Sequence, residues 1–418
     1  MNNFTRVFLR SKEEKEILQG FPWVFDNEIS HLKHRPDEAS AWTVEQLENS
    51  TVPDGSVVEV YTKAGGFCGT GVINRKSRIT IRIISSEHAD AVLADIFGFW
   101  RKRIAEAAAM RGIYFTEDDS YRLVFAEADF VPGLICERFR TAEGRTVLVV
   151  QFLSLSCEVF RGEIIAALEE VCSPDGIYER SDAAVREKEG LEPVSGWVMG
   201  GGDTGLTITE NGILLSVDIA RGQKTGYFLD QKFNRRRAAA FCAGKSVLDT
   251  FTHTGAFGLN AVKAGARNVI SVDISQEAVD MVNKNIALNG AGERMSAVCA
   301  DVFTLLKEYE AAGRKFDVII LDPPAFTKSA RMIEKAYGGY KEINLRAMRL
   351  LNSGGILVSC SCSHFFDRSM FLDMLMHSAT DSHRRVQVLE MGGAGPDHPV
   401  LLGYPKSEYL KFAVCRVM

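Results

Sequence analysis

The chain has 418 residues, of which 46% are hydrophobic and 25% charged, and its formal net charge is −5. This length exceeds one ordinary hydrophobic core and predicts two or three globular domains. The sequence has no apolar run of membrane length, no apolar signal segment near its start, and no zinc-type spacing among its nine cysteines. These features disfavour membrane, exported and zinc proteins, and they predict a cytoplasmic protein that binds no metal.

The first part of the chain is rich in predicted strands. Val57–Tyr61, Phe67–Ile73 and residues 79–84 are apolar or alternating segments, and Gly65-Gly66 predicts a hairpin turn. Residues 91–111 have helical spacing, and residues 180–188 alternate in charge like a solvated loop. We therefore expect a β-rich domain at 1–80 and a central α+β domain at 85–195.

Residues 221–237 form the most basic stretch of the chain, with Asp230 as the only acid. The polar, glycine and aromatic residues between Lys224 and Gln231 favour a site that closes over a cofactor or binds phosphates. Arg235 and Arg236 lie in a predicted helix. They either contact phosphates or form its basic solvent face.

Residues 246–273 predict a strand, a loop, a helix and a second strand, and each strand carries an acid at its end, Asp249 and Asp273. Ligands of open α/β sheets bind at this edge. The loop begins with an acid and has a single glycine at its turn, Gly255, so it lacks the G-x-G-x-x-G pattern that binds a pyrophosphate. An acid in this place attracts an ammonium group, and Asp273 suits ribose hydroxyls. Both features fit S-adenosylmethionine (SAM).

Three further side chains follow predicted parallel strands: Asp301, Asp322 and Cys362. Asp301 is placed to accept the adenine amino group, and the prolines after Asp322 fix the backbone where it leaves the sheet. Cys362 suggests pyrimidine chemistry, because a thiolate that adds to C6 makes C5 nucleophilic enough to accept a methyl group. Cys360 belongs to the strand interior.

Segments along the whole chain resemble one family. They include GFPWVFDNEI, DFVPGLICERF, IYERSDAAVREKEGL, GQKTGYFLDQ, VLDTFTHTGAFG, FDVIILDPPAFTKS, GYKEINLRAM and SCSCSH. These strings are similar to those of the bacterial 23S rRNA (cytosine-5-)-methyltransferases. The resemblance implies an α/β protein with an N-terminal PUA-like RNA-binding β-barrel, a central α+β domain and a Rossmann-like class I methyltransferase domain at 200–418.

The resemblance also implies roles for individual residues. Cys362 would be the nucleophile and Asp322 a second catalytic residue, with substrate contacts from Pro323, Pro324 and Phe326. The basic stretch itself, and not the resemblance, adds Arg235 and Arg236 as expected substrate contacts. The expected SAM contacts are Lys224, Tyr227, Asp230, Gln231, Asp249, Phe251, Thr252, Gly255, Asp273, Ile274, Asp301, Val302 and Asp322. Ribosomal RNA is the expected partner, and a homodimer is a further expectation.

Two other functions remain open at this stage. One is methylation of another rRNA base, at uracil C5 or a purine nitrogen, and nitrogen chemistry would not need Cys362. The other is a non-catalytic RNA-binding assembly factor, which the complete set of acids at strand ends disfavours. A nicotinamide dehydrogenase is disfavoured because G-x-G-x-x-G is missing.

Overall fold

A computed structural model describes residues 4–34, 52–223, 225–327 and 329–418. The chain divides into two compact units that interleave along the sequence. The first comprises residues up to 204 together with 219–226 and 396–407, and the second comprises 205–218, 227–395 and 408–418. The boundaries of three separate domains stay a prediction.

The first unit begins with a six-stranded sheet in the order β2-β6-β5-β4-β1-β3. A short helix, α1 (Glu14–Leu18), follows the first strand, and Ile17 is its buried residue. One face of the sheet carries a core that includes Val7, Leu9, Val58 and Val60. The strands are β1 (Thr5–Leu9), β2 (Trp23–Phe25), β3 (Ile29–Lys33), β4 (Val57–Tyr61), β5 (Phe67–Ile73) and β6 (Ile79–Ser85).

The same unit contains a five-stranded sheet in the order β11-β10-β9-β8-β7. Its strands are β7 (Tyr121–Phe125), β8 (Leu134–Arg140), β9 (Thr146–Phe152), β10 (Gly176–Ser181) and β11 (Val194–Met199). Its helices are α2 (Ala89–Ala94), α3 (Ile96–Arg111), α4 (Leu155–Glu158), α5 (Arg161–Cys172) and α6 (Val185–Lys188). The prediction of a single helix at 91–111 is therefore wrong. The helix is interrupted at Asp95, whose carboxylate accepts the Gly98 N–H and caps α3.

A buried ion-pair network links the six-stranded sheet to the chain just after β7 and just after α6. Arg82 of β6 lies 3.1 Å from Glu127 and 2.8 Å from Glu189, and the Trp23 indole N–H also donates to Glu127. Charged groups in an interior are tolerated when they are paired in this way. The solvated loop expected at 180–188 is wrong at Arg186, which is buried and bonds to the Phe152 carbonyl and to Glu158.

The second unit is built on a seven-stranded sheet in the order β16-β15-β14-β17-β18-β20-β19, and a separate two-stranded hairpin precedes it in sequence. The hairpin strands are β12 (Gly205–Glu210) and β13 (Ile213–Asp218). The sheet strands are β14 (Ser246–Thr250), β15 (Asn268–Asp273), β16 (Met295–Cys299), β17 (Phe316–Leu321), β18 (Leu351–Ser361), β19 (Val386–Gly392) and β20 (Lys411–Val417). The first five sheet strands are parallel, and β20 runs antiparallel to both β18 and β19.

Helices connect these strands in the alternating manner of a doubly wound fold. They are α7 (Lys232–Ala239), α8 (Ala256–Lys263), α9 (Gln276–Leu288), α10 (Val302–Ala311), α11 (Ile333–Leu350) and α12 (Arg368–Asp381). The core between sheet and helices includes Leu248, Ile319, Leu357 and Phe371. Among the helices of the described ranges, none is long and apolar enough to cross a membrane.

Candidate active site

The parallel strands bring the sequence-predicted acids to one edge of the sheet. Strand β14 pairs with β15 on one side and β17 on the other, and β17 pairs with β18. Asp249 is the fourth residue of β14 and Asp273 the last residue of β15, while Asp322 and Cys362 directly follow β17 and β18. Because parallel strands end at the same edge, these residues share one side of the sheet.

The loop after β14 has a strained backbone. Phe251 and His253 have φ angles of 56° and 51°, and Gly255 has 79°. The left-handed region is uncommon for residues with a side chain, and such strain persists where surrounding contacts enforce it. Here the contacts come from Asp249, whose Oδ2 accepts hydrogen bonds from the Thr252 hydroxyl and the Gly258 N–H.

Asp249 supports this loop from within the protein. Its side chain is fully buried, and the Ser271 hydroxyl is a third donor to Oδ2, at 3.0 Å. Oδ1 has no hydrogen-bonding partner among the described residues. Loss of water raises the pKa of Asp249 to about 6. These hydrogen bonds hold the loop, and the expected contact of Asp249 with SAM stays a prediction.

Asp273 is the half-buried acid at the end of β15. Its Oδ2 accepts the His253 N–H and its Oδ1 accepts the Ser275 N–H, both at 3.0 Å. A carboxylate oxygen can accept more than one hydrogen bond, so both oxygens retain capacity for further donors. The next residue, Ile274, has an apolar side chain that is 68% exposed.

The third expected acid, Asp301, is the N-cap of α10. Its Oδ1 accepts the Thr304 N–H and hydroxyl, each at 2.9 Å, and the residue is exposed. An N-cap of this kind typically stabilises a helix by about 1 kcal/mol. Its neighbour Val302 is buried in the core, and the expected SAM contacts of Asp301 and Val302 stay predictions.

Asp322 is the partly exposed acid at the start of the Asp-Pro-Pro turn. The Gln231 side chain donates to its Oδ1 at 2.8 Å, and Gln231 in turn accepts from Asn234. Loss of water and, next, the Asp230 carboxylate raise the pKa of Asp322 to about 7. A group with this pKa is partly protonated at neutral pH, so it can both donate and accept a hydrogen bond.

The segment before α7 is more deeply buried than its composition suggests. Tyr227, Asp230 and Gln231 are each less than 5% exposed. Gln231 reaches Asp322, and Asp230 accepts a hydrogen bond from the Tyr409 hydroxyl. Lys224 lies outside the described residues, and its expected SAM contact stays a prediction.

Arg235 contradicts the surface role expected from the basic stretch. It is 3% exposed, and its Nε and Nη2 bind the two carboxylate oxygens of Glu210 at 2.6 and 2.8 Å. The guanidinium lies 4.7 Å from the centre of the Tyr227 ring, and Tyr227 also donates to Glu210. This cluster fixes the position of the chain before α7.

The sequence offered a signal that a buried cation was needed here. Glu210 shares the buried face of β12 with Leu206 and Ile208, and a buried carboxylate requires a cation as its partner. Arg236 is exposed.

Cys362 lies against the Asp-Pro-Pro turn. Its half-buried Sγ is 3.9 Å from the Pro323 carbonyl oxygen. Cys360 is 1% exposed inside β18, and burial, followed by the Asp322 charge, raises the pKa of its thiol well above the usual range. Pro323 is buried and Pro324 exposed. The Phe326 ring packs 4.5 Å from Tyr340 and 6.4 Å from Phe251.

A buried lysine that the sequence analysis missed lies next to Cys362 and Ser363, which follow β18 and are called the cysteine turn below. Lys411, the first residue of β20, is 3% exposed and donates to the Ser363 carbonyl at 2.6 Å and the Tyr409 carbonyl at 2.7 Å. The Tyr340 hydroxyl forms a hydrogen bond with the Ser363 hydroxyl at 2.8 Å. Burial lowers the pKa of Lys411 to about 8, against the charges of Cys362, Glu408 and Asp367. The sequence contained one signal for this buried lysine, which is its position as the first residue of an otherwise apolar strand.

Comparison with known families identifies the family to which this chain belongs. Residues 183–402 match the model of the S-adenosylmethionine-dependent methyltransferases. The chain belongs to this family. The methyltransferase also matches a PUA-like domain at residues 7–86, which confirms the expected fold of its first strands. Its methyl donor is SAM, as the sequence analysis predicted.

Full-length relatives support the same assignment. The methyltransferase is 39% identical to ribosomal RNA large subunit methyltransferase I of Photobacterium profundum and 36% identical to that of Klebsiella pneumoniae strain 342, with 99% of each chain covered. A solved SAM-dependent methyltransferase from Streptococcus mutans has the same fold, with a TM-score of 0.78 at 21% identity, covering 98% of this chain and 99% of the other. Another solved structure, SMU.776 complexed with SAH, has a TM-score of 0.79 at 21% identity, with the same coverage.

Proposed function

We propose that this methyltransferase transfers a methyl group from SAM to C5 of a cytosine in large-subunit ribosomal RNA, with Cys362 as a covalent nucleophile. The observation that carries the proposal is the position of the Cys362 thiol, 3.9 Å from the backbone of the turn that begins at Asp322. The relatives are named ribosomal RNA large subunit methyltransferase I, and they match this chain over 99% of its length. Their name supports ribosomal RNA as the substrate. The proposal places the protein in the cytoplasm, where bacterial ribosomal RNA is made.

The residues around Asp273 fit SAM. Both oxygens of the Asp273 carboxylate are held by backbone N–H groups and retain capacity for the two ribose hydroxyls. Exposed Ile274 offers an apolar surface to the adenine ring. The loop from Phe251 to Gly255 is held next to Asp273 through the His253 N–H. Bound SAM supplies an electrophilic methyl group.

Cys362 provides the step that a pyrimidine ring requires. Its thiolate adds to C6, and the electron pair of the C5–C6 double bond moves to C5. C5 then bonds to the methyl group while the bond between that carbon and the SAM sulfur breaks, which leaves the neutral thioether. A base removes the C5 proton, and the C6–S bond breaks to restore the double bond and the thiolate. A target inside a helix must first be flipped out to reach the thiol.

Asp322 suits the other edge of the same ring. Electron density on a cytosine ring rises at N3 when a thiolate adds to C6. The pKa of about 7 means that a large fraction of Asp322 is protonated at neutral pH and can donate a hydrogen bond to N3. Gln231 fixes one carboxyl oxygen at 2.8 Å and so sets the orientation of the group.

The test compares Cys362→Ala with Cys360→Ala. Cys362→Ala should leave SAM affinity within about twofold and abolish methylation of ribosomal RNA, because no thiolate can add to C6. Cys360 lies inside the strand and is not required for addition, so Cys360→Ala should keep most of the activity. SAM affinity by calorimetry and methyl incorporation with labelled SAM provide the two readouts.

RNA that contains 5-fluorocytosine gives an independent readout. Fluorine at C5 cannot leave as a proton does, so the adduct should remain attached to the protein in denaturant. Mass spectrometry should place it on Cys362. Methylation by Cys362→Ala at a rate near that of the wild type, or an adduct on Cys360, would overturn the proposed nucleophile, and a methylated purine nitrogen in the product would overturn the reaction.

A further inference from the structure

An aromatic row crosses four neighbouring strands of the first sheet. Register pairs His31 of β3 with Phe8 of β1, Phe8 with Tyr61 of β4, and Tyr61 with Phe67 of β5. Ring centres lie 4.7, 5.7 and 5.6 Å apart along this series. His88 extends the row, since its ring stacks on Phe67 with centres 3.9 Å apart and an angle of 25°.

The row lies on the face opposite the core. Val7 and Leu9 alternate with Phe8 along β1, and Val60 precedes Tyr61 in β4, and these three aliphatic residues belong to the core cluster. Side chains alternate between the two faces of a strand, so the aromatic rings point away from that core. Phe8, His31 and Phe67 are half-buried, Tyr61 in the middle of the row is buried, and the His88 side chain is 59% exposed.

Positive charge runs beside the rings. In the neighbouring line of the same face, Lys33 of β3 pairs with Arg6 of β1, which pairs with Glu59 of β4. The Arg6 guanidinium lies 5.2 Å from the centre of the Tyr61 ring. Glu59 is buried and accepts hydrogen bonds from the Tyr61 hydroxyl, His88 Nδ1 and the Ala89 N–H. Donors within the protein therefore compensate its negative charge.

His88 is held as a flat terminal ring. One face packs on Phe67, and Nδ1 is fixed by Glu59 at 2.9 Å. A terminal ring of a stack has its second face available, and stacking on such a face is possible for every nucleobase. At the other end, burial and next the Lys33 charge lower the pKa of His31, which favours its neutral aromatic form.

We propose that the aromatic row from His31 to His88 is a platform on which unpaired nucleotides of RNA stack, with Arg6 and Lys33 contacting the phosphates. The inference takes RNA as the partner from the proposed function and deepens it by naming single-stranded nucleotides as what this sheet face binds. Aromatic rings with interleaved cations are the arrangement that binds single strands with little sequence preference. A duplex keeps its bases stacked on each other and would gain little from the rings.

The experiment uses the full chain and two RNA probes, a ten-nucleotide adenosine oligomer and a ten-base-pair duplex. Loss of one stacked base weakens binding by about 5- to 150-fold, so Phe67→Ala and His88→Ala should each weaken oligomer binding by at least about fivefold and leave duplex binding unchanged. His88→Tyr keeps a ring and should retain most of the affinity. Tyr114→Ala removes an exposed aromatic residue outside the row and serves as the control.

Salt separates the two kinds of contact. Arg6→Gln and Lys33→Gln should each reduce the slope of log affinity against log salt concentration by about 0.7 for the single strand. The ring variants should weaken binding without changing this slope. Far-UV circular dichroism confirms that each variant is folded. If Phe67→Ala does not fold, His88→Ala alone tests the platform, because it changes an exposed side chain.

Ring variants that bind the oligomer as tightly as Tyr114→Ala would overturn the platform, and so would an equal loss on oligomer and duplex. The outcome is independent of the reaction, because an adenosine oligomer offers no cytosine to which Cys362 could add. If the oligomer arm fails while Cys362 is required for methylation, the platform alone is wrong. If the oligomer arm succeeds while Cys362→Ala methylates normally, the proposed nucleophile alone is wrong.

Discussion

Asp273 combines two properties that a ribose site needs, partial exposure and a fixed carboxylate. Both oxygens are oriented by backbone N–H groups at 3.0 Å. Two hydroxyls could therefore bind without a change of side-chain rotamer. Its position at the end of β15 follows from the strand alone, so the sequence pattern could predict that it lies at this edge of the sheet.

Asp273→Ala should weaken SAM binding by about 10- to 150-fold. The reason is that a hydrogen bond to a charged group contributes about 1.5–3 kcal/mol. Calorimetry on the wild type and the variant measures the change. Asp280→Ala, an exposed acid on the following helix, is the matched control and should bind SAM normally. An unchanged affinity in Asp273→Ala would mean that SAM binds elsewhere.

Asp322→Asn should stabilise the folded protein in a pH-dependent way. The pKa of Asp322 is about 7 in the fold and 3.8 in the unfolded chain, so the folded state binds more protons between these values. The contribution of Asp322 to the free energy of unfolding therefore falls as pH rises from about 4 to 7 and is constant above 7. The full effect is on the order of 4 kcal/mol at most.

Denaturant unfolding of the wild type and Asp322→Asn at pH 5 and pH 8 checks this prediction. The variant should gain stability relative to the wild type, and the gain should be larger at pH 8. The same variant should lose methylation activity, since an amide cannot take the place of a titrating carboxyl group. Equal gains at the two pH values would show that Asp322 titrates normally in the folded state.

At the scale of an element, the first turn of α8 depends on a close approach of the backbone. A Cβ on Gly258 would lie 2.6 Å from the Ser271 hydroxyl and 2.7 Å from the Met295 methyl group. The Gly258 N–H also donates to Asp249 at 3.0 Å. The loop, the helix and strand β15 are therefore fixed together at this point.

Gly258→Ala should destabilise the fold by about 1–3 kcal/mol, as overpacking of an interior does, and should weaken SAM binding because the loop shifts. Gly338→Ala is the matched control. That residue is also helical, in α11, and its added Cβ meets nothing within 4 Å. Since alanine is the better helix former, the control should gain up to about 1 kcal/mol. Thermal unfolding and calorimetry separate the two outcomes.

At the scale of the whole molecule, the two units are not consecutive along the chain. Residues 396–407 lie in the second half of the sequence and pack within the first unit. Arg111 donates to the Asp397 carbonyl at 2.7 Å, the Arg122 N–H donates to the Asp397 carboxylate at 2.9 Å, and the Tyr404 ring lies 4.9 Å from Trp23. Removal of the N-terminal part therefore removes the partners of a C-terminal segment.

A fragment that begins at residue 205 should accordingly be cut by trypsin within or next to residues 396–407, where Lys406 offers a site. The full chain should resist cleavage there under the same conditions, since the segment is held by Arg111 and Trp23. Mass spectrometry of the products locates the cuts. Equal resistance in the fragment and the full chain would show that the segment is stable without these contacts.

Local patterns determined much of this protein. Apolar runs that end in an acid predicted the strands of the second unit. Because parallel strands end at one edge of a sheet, the sequence also predicted that Asp273, Asp322 and Cys362 lie at the same edge. Strand alternation likewise predicted β4, β5 and β6 of the first sheet. The SAM cofactor followed from the acids and from the absence of a pyrophosphate-binding loop.

Only the tertiary structure decided which charges are paired in the interior and which rings meet. The basic stretch suggested a surface, yet Arg235 is buried on Glu210, 25 residues earlier. Lys411 meets the cysteine turn because β20 inserts beside β18, and the aromatic row requires four strands in one register. Periodicity reports which face of an element is apolar. It carries no information on the partner across a long loop, because that partner is selected by packing and by the cost of an unpaired buried charge.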